Sequence, residues 1–267
     1  MNDDEKYLFD LNGYLVIEGV LTPEEVAIAN EAIDRHQDQG RIRPREQALD
    51  GGSPELKGEQ GRGELGGMLN WEEPWCNPFR EMLVHPRVVP YLNEILGKGF
   101  RIDHQMFLLS MDKGAEGFIF HGSSGPGFDP NQYYIYRHGR IHCGLTVVTF
   151  QLTDVNPGDG GLIVIPGSHK SNFPCPQEMR RYQKYQEHVR QIVCKAGGVV
   201  IFTEAVTHGT LPWTADHPRR SILTRYTAGN MAYVPPGDPI PEWANERQRA
   251  VMEPPYHTRL NRPVLEK

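Results

Sequence analysis

The chain has 267 residues, 38% apolar and 23% charged, with 28 Lys and Arg against 34 Asp and Glu. The resulting net charge of −6 gives no electrostatic footprint for nucleic acid or an anionic membrane surface. No run approaches the roughly 18 apolar residues of a spanning helix, and 28 Gly with 22 Pro favour many short elements over a bundle of long helices.

The start, Met1-Asn2-Asp3-Asp4-Glu5, is acidic where a secretory leader would be basic and then apolar, which points to a cytoplasmic protein. Gly13 to Ile17 reads as a strand. Thr22-Pro23-Glu24-Glu25 then supplies a cap, a first-turn proline and two acids for the positive end of a helix running to about Gly40. Residues 41–68 are polar and glycine-rich and read as a long loop, the kind that forms lids or binding segments. A second helix is predicted from Pro78 to Leu96, with a turn at His85-Pro86 and a stop at Gly97.

From Arg101 the texture changes to short apolar or alternating runs: 105–111, 117–121, 141–152, 161–166, 191–193, 199–202 and 221–226. Most are bounded by Gly, Pro, Asp or Asn, the pattern of a β-sandwich or barrel. Helices followed by strands indicate a mainly β, α+β domain, a jelly roll buttressed by N-terminal helices. Residues 177–190 read as a polar, helix-compatible surface insertion. The chain is expected to form one domain over 1–267, with an irregular, proline-rich tail from about 230. Cys76, Cys143, Cys175 and Cys194 include no C-x-x-C pair, so they are expected to be free thiols and not a zinc site.

Three segments could carry chemistry together. Phe118-Ile119-Phe120-His121 is an apolar strand ending in a histidine, followed by a Gly-rich loop. Val199-Val200-Ile201-Phe202 leads through Thr203-Glu204-Ala205-Val206-Thr207 to His208-Gly209. Arg219-Arg220 opens a strand eleven residues past His208. Between the two histidines lies Gly158-Asp159-Gly160-Gly161-Leu162-Ile163-Val164-Ile165-Pro166-Gly167-Ser168-His169-Lys170, a glycine turn, a buried strand and Pro-Gly-Ser-His-Lys.

This central segment resembles the signature of the phytanoyl-CoA dioxygenase family of Fe(II)- and 2-oxoglutarate-dependent oxygenases, and the likeness extends from Gly13 to Tyr226. The resemblance implies a double-stranded β-helix, with iron held by a proximal His-x-Asp and a distal His. It implies 2-oxoglutarate as co-substrate, clamped by an arginine about eleven residues past the distal His, with O₂ and a small molecule as the other reactants. By position His121 resembles the proximal ligand, His208 the distal ligand and Arg219 the clamp. Thr210 stands where a hydroxyl often assists the clamp, and Met106, on the strand before His121, is expected to line the same pocket. The chemistry agrees: two imidazoles and a carboxylate leave three positions on an octahedral Fe(II), and a planar guanidinium suits a carboxylate.

The family pattern breaks at Ser123, which occupies the acid position two residues past His121. The only literal His-x-Asp in the first half, His36-Gln37-Asp38, lies at a polar helix end and reads as a chance match. Glu204 could supply the carboxylate, although in an extended strand it would stand about 13 Å from His208. It reaches the site only if residues 203–207 turn. Alternatively the position is open, as in related halogenases where chloride binds the metal, or Asp129 fills it, or the chain is an inactive binding protein. Arg220 and Arg225 read as solvated or salt-bridged, and His169 as a structural hydrogen-bonder. His142 could be buried or face the site. Trp71, Trp75, Tyr133, Tyr134 and Tyr136 could line a substrate pocket, with core packing the simpler reading. No motif specifies the substrate or an oligomeric state.

Overall fold

The computed structural model describes residues 1–37, 41–43, 51–122, 129, 131–235 and 239–267. In chain order the elements are α1 (Asp3–Asn12), β1 (Tyr14–Ile17), α2 (Pro23–His36), β2 (Arg41–Arg43), β3 (Gly63–Leu65), α3 (Asn77–Met82), α4 (Val89–Leu96), β4 (Arg101–Met111) and β5 (Phe118–His121). They continue with β6 (Tyr134–Arg137), β7 (Arg140–Cys143), β8 (Thr146–Gln151), β9 (Gly161–Val164), α5 (Gln177–Arg180), β10 (Arg190–Gln191), β11 (Val199–Thr203), β12 (His208–Leu211), β13 (Arg219–Thr227) and α6 (Glu246–Met252).

The strands form a seven-stranded sheet, in the order β1-β11-β8-β13-β4-β3-β2, and a four-stranded sheet, β10-β9-β12-β5. All pairings within them are antiparallel. This is a jelly roll. Side-chain parity shows how its layers are assigned. On the large sheet Leu15, Met106, Leu108, Val148, Phe150, Val199, Ile201, Ile222 and Tyr226 face outward into a core shared with Phe9, Ile33, Phe79 and Leu92 of the helices. The alternate residues Val16, Val147, Val200, Phe202 and Leu223 face inward and meet Leu162, Val164 and Ile192 of the small sheet. The large sheet is apolar on both faces because helices cover one and strands the other.

The helix starts follow from local chemistry. Thr22 and Glu25 form a reciprocal capping box with Pro23 in the first turn, and an equivalent box of Asn2 and Glu5 opens α1. The sequence reading did not anticipate α1, although Asn2-x-x-Glu5 was its signal. The predicted helix over 78–96 is two helices, α3 and α4, broken at His85-Pro86, where proline disfavours helical backbone in the residue before it. The 41–68 stretch is more than a loop: β2 and β3 extend the large sheet, with Gly63 opposite Ser110. Residues 177–190 hold the four-residue α5 and a short 3-10 turn, Gln186–His188. The tail carries α6, and Asp103 accepts hydrogen bonds from the backbone N–H groups of Tyr233 and Val234, which tie it to β4. No described helix is long and apolar enough to cross a membrane, and all four cysteines are free.

Candidate active site

β5 and β12 are hydrogen-bonded neighbours, and their antiparallel register places His208 opposite His121. The two ring centroids lie 4.1 Å apart. β11 ends at Thr203, and the chain then turns: Val206 donates its N–H to the Thr203 carbonyl, and Ala205 donates to the Thr203 hydroxyl. The turn brings Glu204 back, so that its Oε2 lies 3.5 Å from His208 Nε2 instead of the extended-strand distance. Gly122 permits the close approach. Its φ is +125°, and a Cβ there would lie 2.7 Å from the Val206 carbonyl oxygen.

One ligand atom from each of His121, Glu204 and His208 lies within 4.8 Å of the others. His208 Nδ1 is 2.8 Å from the Val206 carbonyl oxygen, and His121 Nδ1 is 3.3 Å from that of Ile119. A carbonyl only accepts, so each Nδ1 carries the proton and each Nε2 keeps its lone pair. Burial, reinforced by the neighbouring His208, pushes His121 down to about 3. Burial also lowers His208, against the attraction of Glu204. Both rings are therefore neutral near pH 7, the state a metal ligand needs. Burial pushes the Glu204 carboxyl up, but its interactions with the adjoining His208 and with the Arg225 guanidinium outweigh that and hold it below the usual carboxylate value, in its ionised form. Arg225 Nε donates to Glu204 Oε1 at 2.7 Å.

A cavity of about 220 Å³ opens on this cluster, lined by His121, His208, Thr210, Arg219, Arg225 and Phe107 among others. Arg219, at the first position of β13, is 3% exposed. Its Nη1 lies 3.3 Å from Met111 Sδ, and its Nε has no hydrogen-bond partner among the described residues. Burial and the nearby Arg62 lower it to about 10, so it remains a cation at neutral pH. A buried guanidinium with an orphaned donor is unfavourable unless an anion completes it. The close wall at Gly161 fits the same purpose, because a Cβ there would stand 3.3 Å from Arg219 Nε.

The structure thus brings together His121, His208, Glu204, Arg219 and Thr210. It does not bring Met106, which corrects the expectation for that residue. Phe107 and Leu109 point into the cavity, whereas Met106 has the opposite parity and packs into the helix-side core. Asp129, the alternative acid, accepts from the Asn131 N–H and is not part of the cluster. Ser123 and Asp38 lie outside the described residues. His36 is buried and stacked on Trp71, and His142 is exposed on β7. His169 bonds the Asp10 carbonyl. Arg220 pairs with Asp34. None of Trp71, Trp75, Tyr133, Tyr134 and Tyr136 is among the residues lining the cavity. Arg225, read from the sequence as solvated or salt-bridged, is salt-bridged. What sequence reasoning missed is that its partner is Glu204, and the signal for its place at the site is its even spacing from Arg219, six residues on, which puts both on one face of β13.

Residues 9–221 match the phytanoyl-CoA dioxygenase (PhyH) family. The chain belongs to this family. An ectoine dioxygenase of Bordetella parapertussis is 23% identical to this PhyH chain, over 93% of it and 83% of its own length. Among solved structures, HygX from Streptomyces hygroscopicus with nickel and 2-oxoglutarate bound superposes with a TM-score of 0.67 at 20% identity, covering 85% of this chain and 87% of its own. EctD from S. alaskensis, with 2-oxoglutarate and 5-hydroxyectoine, superposes with a TM-score of 0.61 at 20% identity, covering 86% and 77%. At such identities the superpositions speak to the jelly-roll fold. As a PhyH member the protein is an Fe(II)- and 2-oxoglutarate-dependent dioxygenase.

Proposed function

We propose that this PhyH protein hydroxylates an unactivated C–H bond of a small molecule, with His121, His208 and Glu204 holding Fe(II) and Arg219 holding 2-oxoglutarate. The observation that carries the reading is a cluster of two neutral imidazoles and one carboxylate beside a cavity that also holds a buried guanidinium, whose Nε has no hydrogen-bond partner among the described residues. When bound, Fe(II) and 2-oxoglutarate supply an oxidation by O₂ that yields succinate and CO₂ and places the second oxygen atom in the substrate.

The chain's own contributions follow from the geometry. His121 and His208 present Nε2 lone pairs because their Nδ1 protons are spent on backbone carbonyls. Glu204 adds the anionic ligand through Oε2, with Oε1 engaged by Arg225. Arg219 offers charge-assisted hydrogen bonds to the far carboxylate of 2-oxoglutarate, with Thr210 on the same wall. Phe107, Leu109, Phe118 and Leu223 give the cavity apolar walls that exclude bulk water.

A halogenase reading rests on Ser123 in the acid position. It requires a metal position left open for halide, and Glu204 fills that position in this scheme. Inactive-protein readings need a broken cluster, which the three converging ligand atoms do not support. The fold does not identify the substrate. Cytoplasmic placement is supported by four free thiols in a chain without disulfides.

The test is succinate formation from 2-oxoglutarate by protein purified without oxygen and reloaded with Fe(II). Succinate release that depends on Fe(II) and disappears in His208→Ala is the expected result. An iron-loaded protein that releases no succinate across a broad screen of small molecules would overturn the reading.

A further inference from the structure

We infer that Arg225 is a positioning residue for the metal centre: it pins one oxygen of Glu204 and thereby presents the other to the metal. The inference rests on the reading of Glu204 as the third ligand.

The argument starts from what Glu204 lacks. In a His-x-Asp arrangement the acid and the proximal histidine share one strand, and the sheet itself fixes both. Glu204 instead sits in a turn, past the end of β11. Its backbone N–H is tied to the Leu145 carbonyl. That bond fixes the main chain and leaves the side-chain torsions of a glutamate to be set by other groups. Arg225 sets them. Its Nε donates to Oε1 at 2.7 Å, the short distance of a charge-assisted bond, while Oε2 lies 3.5 Å from His208 Nε2. One oxygen is thus committed to the guanidinium and the other faces the imidazoles. A metal would meet a single carboxylate oxygen, not a bidentate pair.

Arg225 is itself held. It projects inward from β13, on the same face as Arg219 and Leu223, and its guanidinium lies 5.8 Å from the Phe107 ring centroid. β13 runs between β8 and β4 in the middle of the large sheet, so the cation is mounted on a rigid element. The Arg225–Glu204 pair joins that sheet to the ligand turn. Partners of metal ligands of this kind typically govern affinity by roughly 10- to 100-fold.

The test measures metal binding without turnover. Co(II) is titrated anaerobically into the 267-residue chain and its four variants Arg225→Met, Arg225→Lys, Glu204→Gln and Glu204→Gln/Arg225→Met, with circular dichroism and thermal melts to establish folding. Arg225→Met is expected to weaken Co(II) binding by roughly 10- to 100-fold and to change the visible absorption of bound Co(II). Arg225→Lys is expected to recover part of the loss. In the Glu204→Gln background Arg225→Met is expected to have no further effect. If Glu204→Gln weakens binding while Arg225→Met binds like the parent, the ligand assignment stands and this inference fails. If Arg225→Met weakens binding equally with or without Glu204, the residue does not act through that carboxylate and the inference fails. If Glu204→Gln binds Co(II) like the parent, the third-ligand reading falls, and the inference falls with it.

Discussion

His121 and His208 are register partners on neighbouring strands, residues 87 apart in sequence whose ring centroids stand 4.1 Å from one another. Their pairing is a property of the sheet and not of side-chain reach. The backbone ladder that joins β5 to β12 also sets the separation of the two imidazoles proposed to hold the metal.

Arg219 sets function against stability. Arg219→Met removes the proposed clamp and should raise the KM for 2-oxoglutarate by roughly 10- to 100-fold, the equivalent of losing a hydrogen bond to a charged group. The same change removes a buried cation with an orphaned donor. The protein without ligand should then gain about 1–3 kcal/mol, seen as a rise of a few degrees in Tm. Steady-state kinetics with varied 2-oxoglutarate and a thermal melt of the metal-free protein check the two halves. A lower Tm with an unchanged KM would contradict both.

Adjacent residues on β4 should behave oppositely. Met106 packs against the helices and Phe107 faces the cavity. Met106→Ala is expected to cost about 2–5 kcal/mol of stability and to leave the KM for 2-oxoglutarate unchanged. Phe107→Ala is expected to alter turnover as well. Denaturant unfolding alongside kinetics at a temperature where both variants are folded separates them.

His169 predicts an acid-sensitive fold. It is buried, its Nε2 donates to the Asp10 carbonyl oxygen, and burial lowers it to about 4 from 6.5. Between those values the unfolded chain binds a proton that the folded chain does not. Stability therefore rises with pH through this window and is lost as pH falls from 6.5 towards 4. The share from His169 is about 3 kcal/mol. His169→Asn should flatten this part of a stability-against-pH curve, measured by denaturant titration at a series of pH values. A slope unchanged in the variant would assign the acid sensitivity to other groups.

Chloride distinguishes the chemistry. With Glu204 at the metal there is no vacant position for halide, so turnover should be the same in chloride and in sulfate, and the product should gain the mass of one oxygen. Mass spectrometry of the product under both salts gives the answer, and a chlorinated product would remove Glu204 from the coordination sphere.

Much of this was legible in the sequence for physical reasons. Strand runs bounded by turn residues announced the jelly roll, and the 11-residue interval from His208 to Arg219 spans β12, a turn and the start of β13. Glu204 could be named because Thr-Glu-Ala is a segment able to turn. What failed was facing. In Met106-Phe107-Leu108-Leu109 all four residues are apolar, because β4 is covered on both sides. A strand without alternation gives no sign of which parity meets the cavity. β12 was obscured for a different reason: His208-Gly209-Thr210-Leu211 is short and half polar, and it becomes a strand through pairing with β9 and β5 on its two edges. Arg225 was hidden because its partner lies 21 residues away, across two strands.

The turn between β11 and β12 places Glu204 and His208 at the two ends of one five-residue segment, while His121 sits on the next strand over. Two donors are thus pre-assembled within the single turn that carries the chain from the large sheet to the small one, and the last arrives only when β5 pairs with β12. A cation binding all three would act as a clasp across that seam. Its occupancy would hold β5 beside β12, in the arrangement that gives the cavity its walls.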